Sequence, residues 1–410
     1  MLKKSKLFLL FVLLIPCWGI ALRAGIDYSV YYKVSEWVNR GKLIGLYKDS
    51  FQIGGFYYGP LSLVLLKPLA LFSFDAGHWV FLFCQTLAYV CFWFFLMKLF
   101  PERNASPSDS IFQRKHLAWL LVWAVAIKPI HSSFQCYNIQ LFYAAAFILA
   151  EFLTQSKKSS FQFLGGVLIS LIASIKFFPG FIVLLYWIIK SNRVRLGTIA
   201  GAALAVLIPV LAFGWETGIG LHFDLKESLH LYHSTYPLKN QIFFLSLPSL
   251  LATWLSPFLV LSQIEAITLI LNLSLSLLFF VFAWKQRNNL EAHSYLFALG
   301  LALMTIINTS TRVDYYVFFI PAFCVLTELW QDSGVSKLKA STLIAFALMY
   351  LVSEWTLQSS ELNHRLEAYR VPVVGMLILL ASVWIFSFLK LGSHENGSGW
   401  GKSNQLGLNR

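Results

Sequence analysis

Charge is what this chain has least of, acidic charge above all. Asp and Glu number 19 against 32 Lys and Arg in 410 residues; charged residues make up 12% of the chain and hydrophobic ones 58%. So little charge excludes a soluble globule, whose water-facing surface needs far more. Cysteine offers no framework either. Cys17, Cys84, Cys91, Cys136 and Cys324 show no CxxC or other metal-ligand spacing, and four of them lie in apolar runs. No GxGxxG or P-loop sequence occurs, which removes the usual nucleotide-binding signatures. The net charge of +13 would suggest nucleic acid in a soluble protein, but no basic-aromatic groove accompanies it. The basic residues are better explained by the topology of loops at a membrane, so no nucleic-acid partner is expected.

What the chain has in abundance is apolar sequence long enough to cross a bilayer. Hydrophobic runs predict membrane helices near 6–23, 78–98, 116–129, 138–154, 161–175, 179–190 and 196–213, then near 263–284, 291–307, 313–330, 339–356 and 371–390. The class is therefore an all-α polytopic membrane protein with about 12 spans. The stretch 161–190 reads as a broken pair, because Lys176 and Pro179 interrupt it. The first run, Leu7–Leu22, follows Lys3, Lys4 and Lys6; Ala21-Leu22-Arg23 puts a charge where signal cleavage needs a small residue, so it reads as a retained anchor. Placing the N-terminus inside puts 19 of the 32 Lys and Arg on the inner side, mostly in short connections. Both termini are then cytoplasmic, with residues 391–410 a polar tail and residues 1–390 a single transmembrane domain. The long loops 24–77 and 214–262, the first and fourth outer loops, fall outside and carry interfacial helices, with 61–74 and 242–262 as interfacial or re-entrant segments. The longest inner connection, 99–115, is too short for a nucleotide-binding domain, so chemistry is expected on the outer face with a donor delivered in the lipid.

Gly25–Pro60, which follows the first run, is the most informative stretch. Val30, Val34, Trp37 and Val38 share one helical face and Lys33, Glu36 and Arg40 the other, the pattern of a helix lying in the membrane interface. Asp27 stands at its start. Two readings remain open from the residues alone: a helix cap, for which Asp is well suited, or a catalytic carboxylate at the boundary of lipid and water.

A second group of polar residues gathers near predicted outer helix ends: Lys128 with Pro129 and His131, Lys176 with Pro179, and Arg312 with Asp314. Singly, each cation can snorkel to the interface; together, Lys128, Lys176 and Arg312 can surround a lipid phosphate, which needs compensating cations where water is scarce. The loop 214–262 adds Glu216, His222, Asp224, His230, His233, Asn240 and Gln241. His230 and His233 are too few for a zinc site. Asn240-Gln241 reads as a helix start or as amides for sugar hydroxyls. Tyr28, Tyr31, Tyr32, Tyr57 and Tyr58 form either an aromatic belt or a platform for a sugar ring.

The order of Asp27-Tyr-Ser-Val-Tyr-Tyr-Lys, Phe56-Tyr57-Tyr58-Gly59-Pro60-Leu61, Lys176-Phe177-Phe178-Pro179, Asn240-Gln241 and Val313-Asp314-Tyr315-Tyr316 resembles glycosyltransferase family 87. Its members are similar to polyprenol-phosphate-mannose-dependent mannosyltransferases of the GT-C membrane fold. The resemblance runs from about residue 6 to 390. It implies a polyprenyl-phosphate sugar donor, a lipid or glycan acceptor and residence in the bilayer, here the bacterial inner membrane. Asp27 becomes the catalytic base. Lys176, Arg312 and Lys128 become the donor-phosphate ligands, with Tyr31, Tyr58, His131, Asn240, Gln241, Asp314 and Tyr316 binding substrate. The lipid phosphate leaves already charged and fixed cations stabilise it, so no metal or other cofactor is expected. Two positions depart from the family pattern: Gly59 where Tyr-Pro-Pro is common, and Tyr315 where Asp-His-Tyr is common. A lipid-linked-sugar flippase would instead need a polar path at the bilayer midplane and symmetry between halves, neither of which the sequence contains. A non-catalytic assembly subunit is the third reading; it requires Asp27 to be dispensable.

Overall fold

The computed structural model describes residues 14, 15, 17–19, 21, 25–50, 55–100, 114–176, 180–235, 245–309, 311–333 and 371–395. Among these residues every regular element is helical. In chain order they are α1 (Ile26–Asn39), α2 (Leu46–Ser50), α3 (Pro60–Leu66), a 3₁₀ turn (Lys67–Leu71), α4 (Phe74–Leu99), α5 (Arg114–Cys136), α6 (Gln140–Thr154), α7 (Ser159–Ile175), α8 (Gly180–Ile189) and α9 (Asn192–Phe213). Then come α10 (Trp215–Thr235), α11 (Leu247–Leu255), α12 (Leu261–Lys285), α13 (Leu290–Ile307), a second 3₁₀ turn (Val313–Phe319), α14 (Ile320–Ser333) and α15 (Val371–Glu395). Four of these, α4, α9, α12 and α13, are long and apolar enough to cross a membrane.

Two of the four show why apolar composition alone does not say where a helix sits. In α12 Leu269, Ile270, Leu273, Leu277 and Leu278 are exposed, the face of a helix turned to lipid. In α13 Leu296, Phe297, Leu299, Leu301, Leu303 and Ile306 are buried instead. That helix packs against α8, α14, α15 and the second 3₁₀ turn. Helices α7 and α9 form the most intimate pair, and glycine is the reason. A Cβ on Gly166 would stand 2.1 Å from the Val194 carbonyl oxygen, and one on Gly197 would stand 2.1 Å from that of Phe163. Close backbone approach through small residues is the usual way apolar helices associate where water gives no driving force.

The loop predicted over 24–77 is folded against this bundle. Val30, Val34 and Val38 of α1 are buried while Lys33 and Arg40 face out and pair with Glu36 at 3.5 and 3.3 Å. The apolar face packs on α3 and the first 3₁₀ turn, where Ser35 Oγ accepts the Ala70 N–H at 2.9 Å.

Several expectations are revised. The helix placed at 116–129 runs on through Pro129 to Cys136; Ser133 Oγ donates to the Pro129 carbonyl at 2.9 Å inside it. The span placed at 313–330 is a 3₁₀ turn followed by a separate helix from Ile320. The loop 214–262 holds α11 within the expected segment 242–262, and also the 21-residue α10 before it, whose Leu221, Leu225 and Ser228 are buried at helical spacing. The break between 161–175 and 179–190 stands as expected, with α7 ending at Ile175 and α8 starting at Gly180. The span at 339–356 and most of 6–23 lie outside the described residues.

The α7–α9 contact can be tested directly. Gly197→Leu should destabilise the folded protein by about 1–3 kcal/mol or more, the usual cost of overpacking. Thermal unfolding in detergent is the measurement, with Gly220→Leu as the control, because nothing lies within 4 Å of a Cβ there.

Candidate functional site

The site forms where four helix ends meet: the start of α1, the α5–α6 turn, the end of α7 and the loop before the second 3₁₀ turn. Asp27 lies in the first turn of α1, but it does not cap that helix. The N-cap is Gly25, and no side chain accepts there. The capping reading is therefore set aside. The carboxylate points instead to groups far along the chain. Asn138 Nδ2 donates to Asp27 Oδ2 at 2.8 Å, and Arg312 Nη2 reaches the same oxygen at 3.3 Å. Through Nε, Arg312 also donates to Asp314 Oδ1 at 3.3 Å. One guanidinium thus bridges two carboxylates. The Asp314 side chain is only 3% exposed and its buried Oδ2 has no hydrogen-bond partner among the described residues, whereas Asp27 keeps 22% of its side-chain surface open.

Lys176 follows the last residue of α7. Its ammonium lies between two aromatic rings, 5.1 Å from the Tyr58 centroid and 4.5 Å from that of Tyr315, and it donates to the Tyr315 hydroxyl. A cation held over ring faces is stabilised where water is scarce. The Tyr58 hydroxyl lies 3.1 Å from that of Tyr31, so these two expected substrate residues form part of the wall beside Asp27. The loop carrying Tyr58 is pinned from both sides. Tyr47 donates to the Tyr58 carbonyl at 2.8 Å, and the Gly59 N–H donates to the Ile175 carbonyl at 2.7 Å. A Cβ on Gly59 would stand 2.0 Å from the Ser174 carbonyl oxygen. Glycine here is a requirement of close approach; a proline would in addition lose the N–H that reaches Ile175.

Lys128 and His131 are buried one turn apart on α5, yet the hydrogen bonds to Asp27 come from Asn138 and Arg312. Tyr316 is fully buried, its ring 5.9 Å from that of Phe319. Asn240 and Gln241 lie outside the described residues.

Sequence reasoning did not pick out Asn138, nor Gln85, which is fully buried in α4 and donates to the Ser133 and Asn138 carbonyls at 2.7 and 3.2 Å. The available signal was a lone amide in an otherwise apolar membrane helix, which is costly unless it is paired.

Burial pushes the Asp27 carboxyl pKa up; the Arg312 charge and hydrogen bond pull it down, the Asp314 charge raises it and Lys176 lowers it. The net direction is upward, so Asp27 gains its proton at a higher pH than an ordinary carboxylate.

A family model, Glycosyltransferase family 87, matches residues 56–309, well over half of the chain. Lys128, Asn138 and Lys176 fall inside the match; Asp27, Arg312 and Asp314 lie outside it. No curated protein and no solved structure matches the chain.

Removing Arg312 removes the main influence opposing that upward shift. In Arg312→Gln the Asp27 carboxyl should titrate about one pH unit or more higher, because an adjacent opposite charge typically shifts a carboxylate by that much. The measurement is the carboxyl infrared band as a function of pH, assigned to Asp27 by its loss in the Asp27→Asn background.

Proposed function

The chain belongs to glycosyltransferase family 87, and from that premise we propose that this membrane glycosyltransferase moves a hexose, mannose by resemblance, from a polyprenyl phosphate to a lipid or glycan acceptor on the outer face. Asp27 is the base. The acceptor oxygen attacks the anomeric carbon, its proton passes to the Asp27 carboxylate, and the bond from that carbon to the phosphate oxygen breaks. A single displacement inverts the carbon, so a β-linked donor gives an α-linked product. The polyprenyl phosphate leaves with the electron pair and needs cations around it. Lys176 and Arg312 supply them.

The observation that carries this reading is the position of Asp27 itself: a partly open carboxylate held by Asn138 and Arg312, with Lys176 within electrostatic reach. Burial pulls the Lys176 pKa down to about 7, so before the donor arrives the two carboxylates face Arg312 and a lysine that holds its proton weakly; an arriving phosphate favours its charged form. Phosphate entering beside them draws Arg312 toward itself and away from Asp27. That loosens the ion pair and strengthens the base at the moment it is needed.

Single-turnover transfer in proteoliposomes tests the assignment, using radiolabelled polyprenyl-phosphate mannose with octyl mannoside as acceptor probe. Asp27→Asn should lower the rate by about 10²–10⁴-fold, the usual contribution of a general base, while donor binding is retained. Asp27→Glu should recover only part of the activity, because the carboxylate is displaced by one methylene. Lys176→Ala should weaken donor binding by about 1.5–3 kcal/mol, the worth of hydrogen bonds to charged groups. Wild-type transfer by Asp27→Asn would end the base assignment.

We place both termini in the cytoplasm, about 12 spans in the membrane and the site outside. The Lys and Arg distribution supports this. On a cysteine-free background, Lys42→Cys and Lys226→Cys, both at exposed positions, should react with an impermeant thiol reagent from outside, and Ser108→Cys only from inside. Labelling of Lys226→Cys from the cytoplasmic side alone would reverse the orientation.

A further inference from the structure

We propose that Asn138 is the positioning residue of the Asp27 carboxylate: its amide holds Oδ2 and leaves Oδ1 as the oxygen that takes the acceptor's proton. The proposal rests on the reading of Asp27 as the base, and it adds to that reading a residue with no charge and no expected contact to substrate.

The first observation is the division of labour between the two oxygens. Both hydrogen bonds to Asp27, from Asn138 Nδ2 at 2.8 Å and from Arg312 Nη2 at 3.3 Å, converge on Oδ2. None reaches Oδ1 among the described residues. A base whose two oxygens are treated alike can turn; one held through a single oxygen presents the other in a fixed direction. Proton transfer depends on that direction, because it needs hydrogen-bond reach.

The second observation is that the Asn138 amide cannot rotate freely. Its own Oδ1 accepts the Gln140 N–H at 3.1 Å, which assigns the oxygen and aims the NH₂ at Asp27. The side chain is 2% exposed. Its backbone is held as well: the Asn138 N–H donates to the Ser133 carbonyl at 2.9 Å, and the Asn138 carbonyl accepts from Gln85 of α4.

The third is the backbone conformation just before it. Tyr137 has φ of 55°, in the left-handed region that a bulky residue avoids. The surroundings hold it there: the Tyr137 hydroxyl donates to the Ala21 carbonyl and meets His78 Nε2. The Tyr28 ring lies 6.0 Å away. Strain retained in this way, next to a functional group, fits a turn kept for the direction it gives to the next side chain.

Arg312 and Asn138 are therefore not equivalent partners. Arg312 is shared with Asp314 and lies beside Lys176, so an arriving phosphate competes for it. Asn138 is neutral and offers a phosphate no charge. It stays on Oδ2 throughout the reaction and keeps the carboxylate aimed when Arg312 turns away.

The test uses the full-length protein and two variants. Asn138→Ala removes the donor. Asn138→Asp keeps an oxygen for the Gln140 N–H and nearly the same shape, but sets a second carboxyl against Asp27, where two carboxyls titrate as a coupled pair. The other groups that act on Asp27 or lie against it stay in place: Arg312 and Asp314 around the second 3₁₀ turn, Lys176 after α7, Cys136 at the end of α5, Tyr31 on α1 and Tyr58 in the following loop. In the substrate-free protein the Asp27 carboxyl midpoint should rise by about one pH unit in Asn138→Ala and further in Asn138→Asp. Transfer should fall about tenfold or more in both, with the affinity for polyprenyl-phosphate mannose within twofold of wild type and the acid limb of the rate profile moved upward. A merely structural turn residue would leave Asn138→Ala with the wild-type midpoint and rate; this result would overturn the proposal. If Asn138→Ala does not fold, Asn138→Asp carries the test through transfer measured above its shifted midpoint, where the wild-type rate would overturn the proposal. The midpoint needs no substrate, so full transfer by Asp27→Asn would refute the base while the infrared shifts still decide whether Asn138 governs that carboxyl.

Discussion

The arrangement of the site depends on how costly it is to keep a carboxylate away from water. Asp27 is most of the way into protein, and burial alone would favour its neutral form. An ionised group in such a place needs a partner of opposite charge and hydrogen bonds to its oxygens. Arg312 provides the charge and Asn138 a neutral donor. These residues lie 285 and 111 positions from Asp27 in the sequence, so the ion cluster can exist only if distant helix ends are brought together. The charged cluster therefore needs the bundle, and the bundle's apolar contacts tolerate the cluster because its charges are balanced. A second buried ion pair obeys the same rule. Lys190 meets Glu151 at 2.7 Å, and Tyr186 donates to the other oxygen at 2.8 Å. That pair ties the last turns of α6 and α8, at the ends of those helices opposite the site.

How far the sequence could be read follows from the range of the interactions. Local ones were legible. The alternation of apolar and charged residues along 26–40 marked α1 and its buried face, and Lys176 with Pro179 marked the break between α7 and α8. Asp27, Lys176 and Arg312 stood out because charge is rare in this chain. What could not be read was their pairing. Nothing in the spacing says that Arg312 bridges Asp27 and Asp314, since hydrophobic period reports one element at a time. Asn138 escaped for a related reason. It falls at the edge of a predicted span, where an amide looks like an ordinary helix start, and only the α4 contact through Gln85 gives it meaning. Helix α10 was a different kind of miss. An interfacial helix was expected in 214–262 but placed at 242–262; Leu221, Leu225 and Ser228, buried at helical spacing, belong to a helix that starts earlier.

The two departures from the family pattern take on a physical sense in this geometry. Gly59 lets the first loop sit directly on the end of α7, with its N–H on the Ile175 carbonyl. That contact places Tyr58 beside the residue that follows, Lys176. Tyr315 closes the opposite side of the same ammonium, with both its ring and its hydroxyl. A histidine could donate or accept a hydrogen bond at that position, but it would also titrate near neutral pH and add a second charge beside the lysine. A tyrosine brings a hydroxyl and presents the face of an aromatic ring.

The two substitutions therefore act on one group. Close backbone approach at Gly59 sets one wall of the lysine's cage, and Tyr315 sets the other. The ammonium lies over two aromatic faces, and the Asp314 and Asp27 charges act on it as well. Asp27 and Asp314 share Arg312. Ring faces favour the charged form of Lys176 where burial opposes it, pulling its pKa down to about 7. On the proposed reading Arg312 is shared between Asp27 and the donor phosphate, and Lys176 is the second cation that phosphate meets. One small cluster then serves both the base and the leaving group.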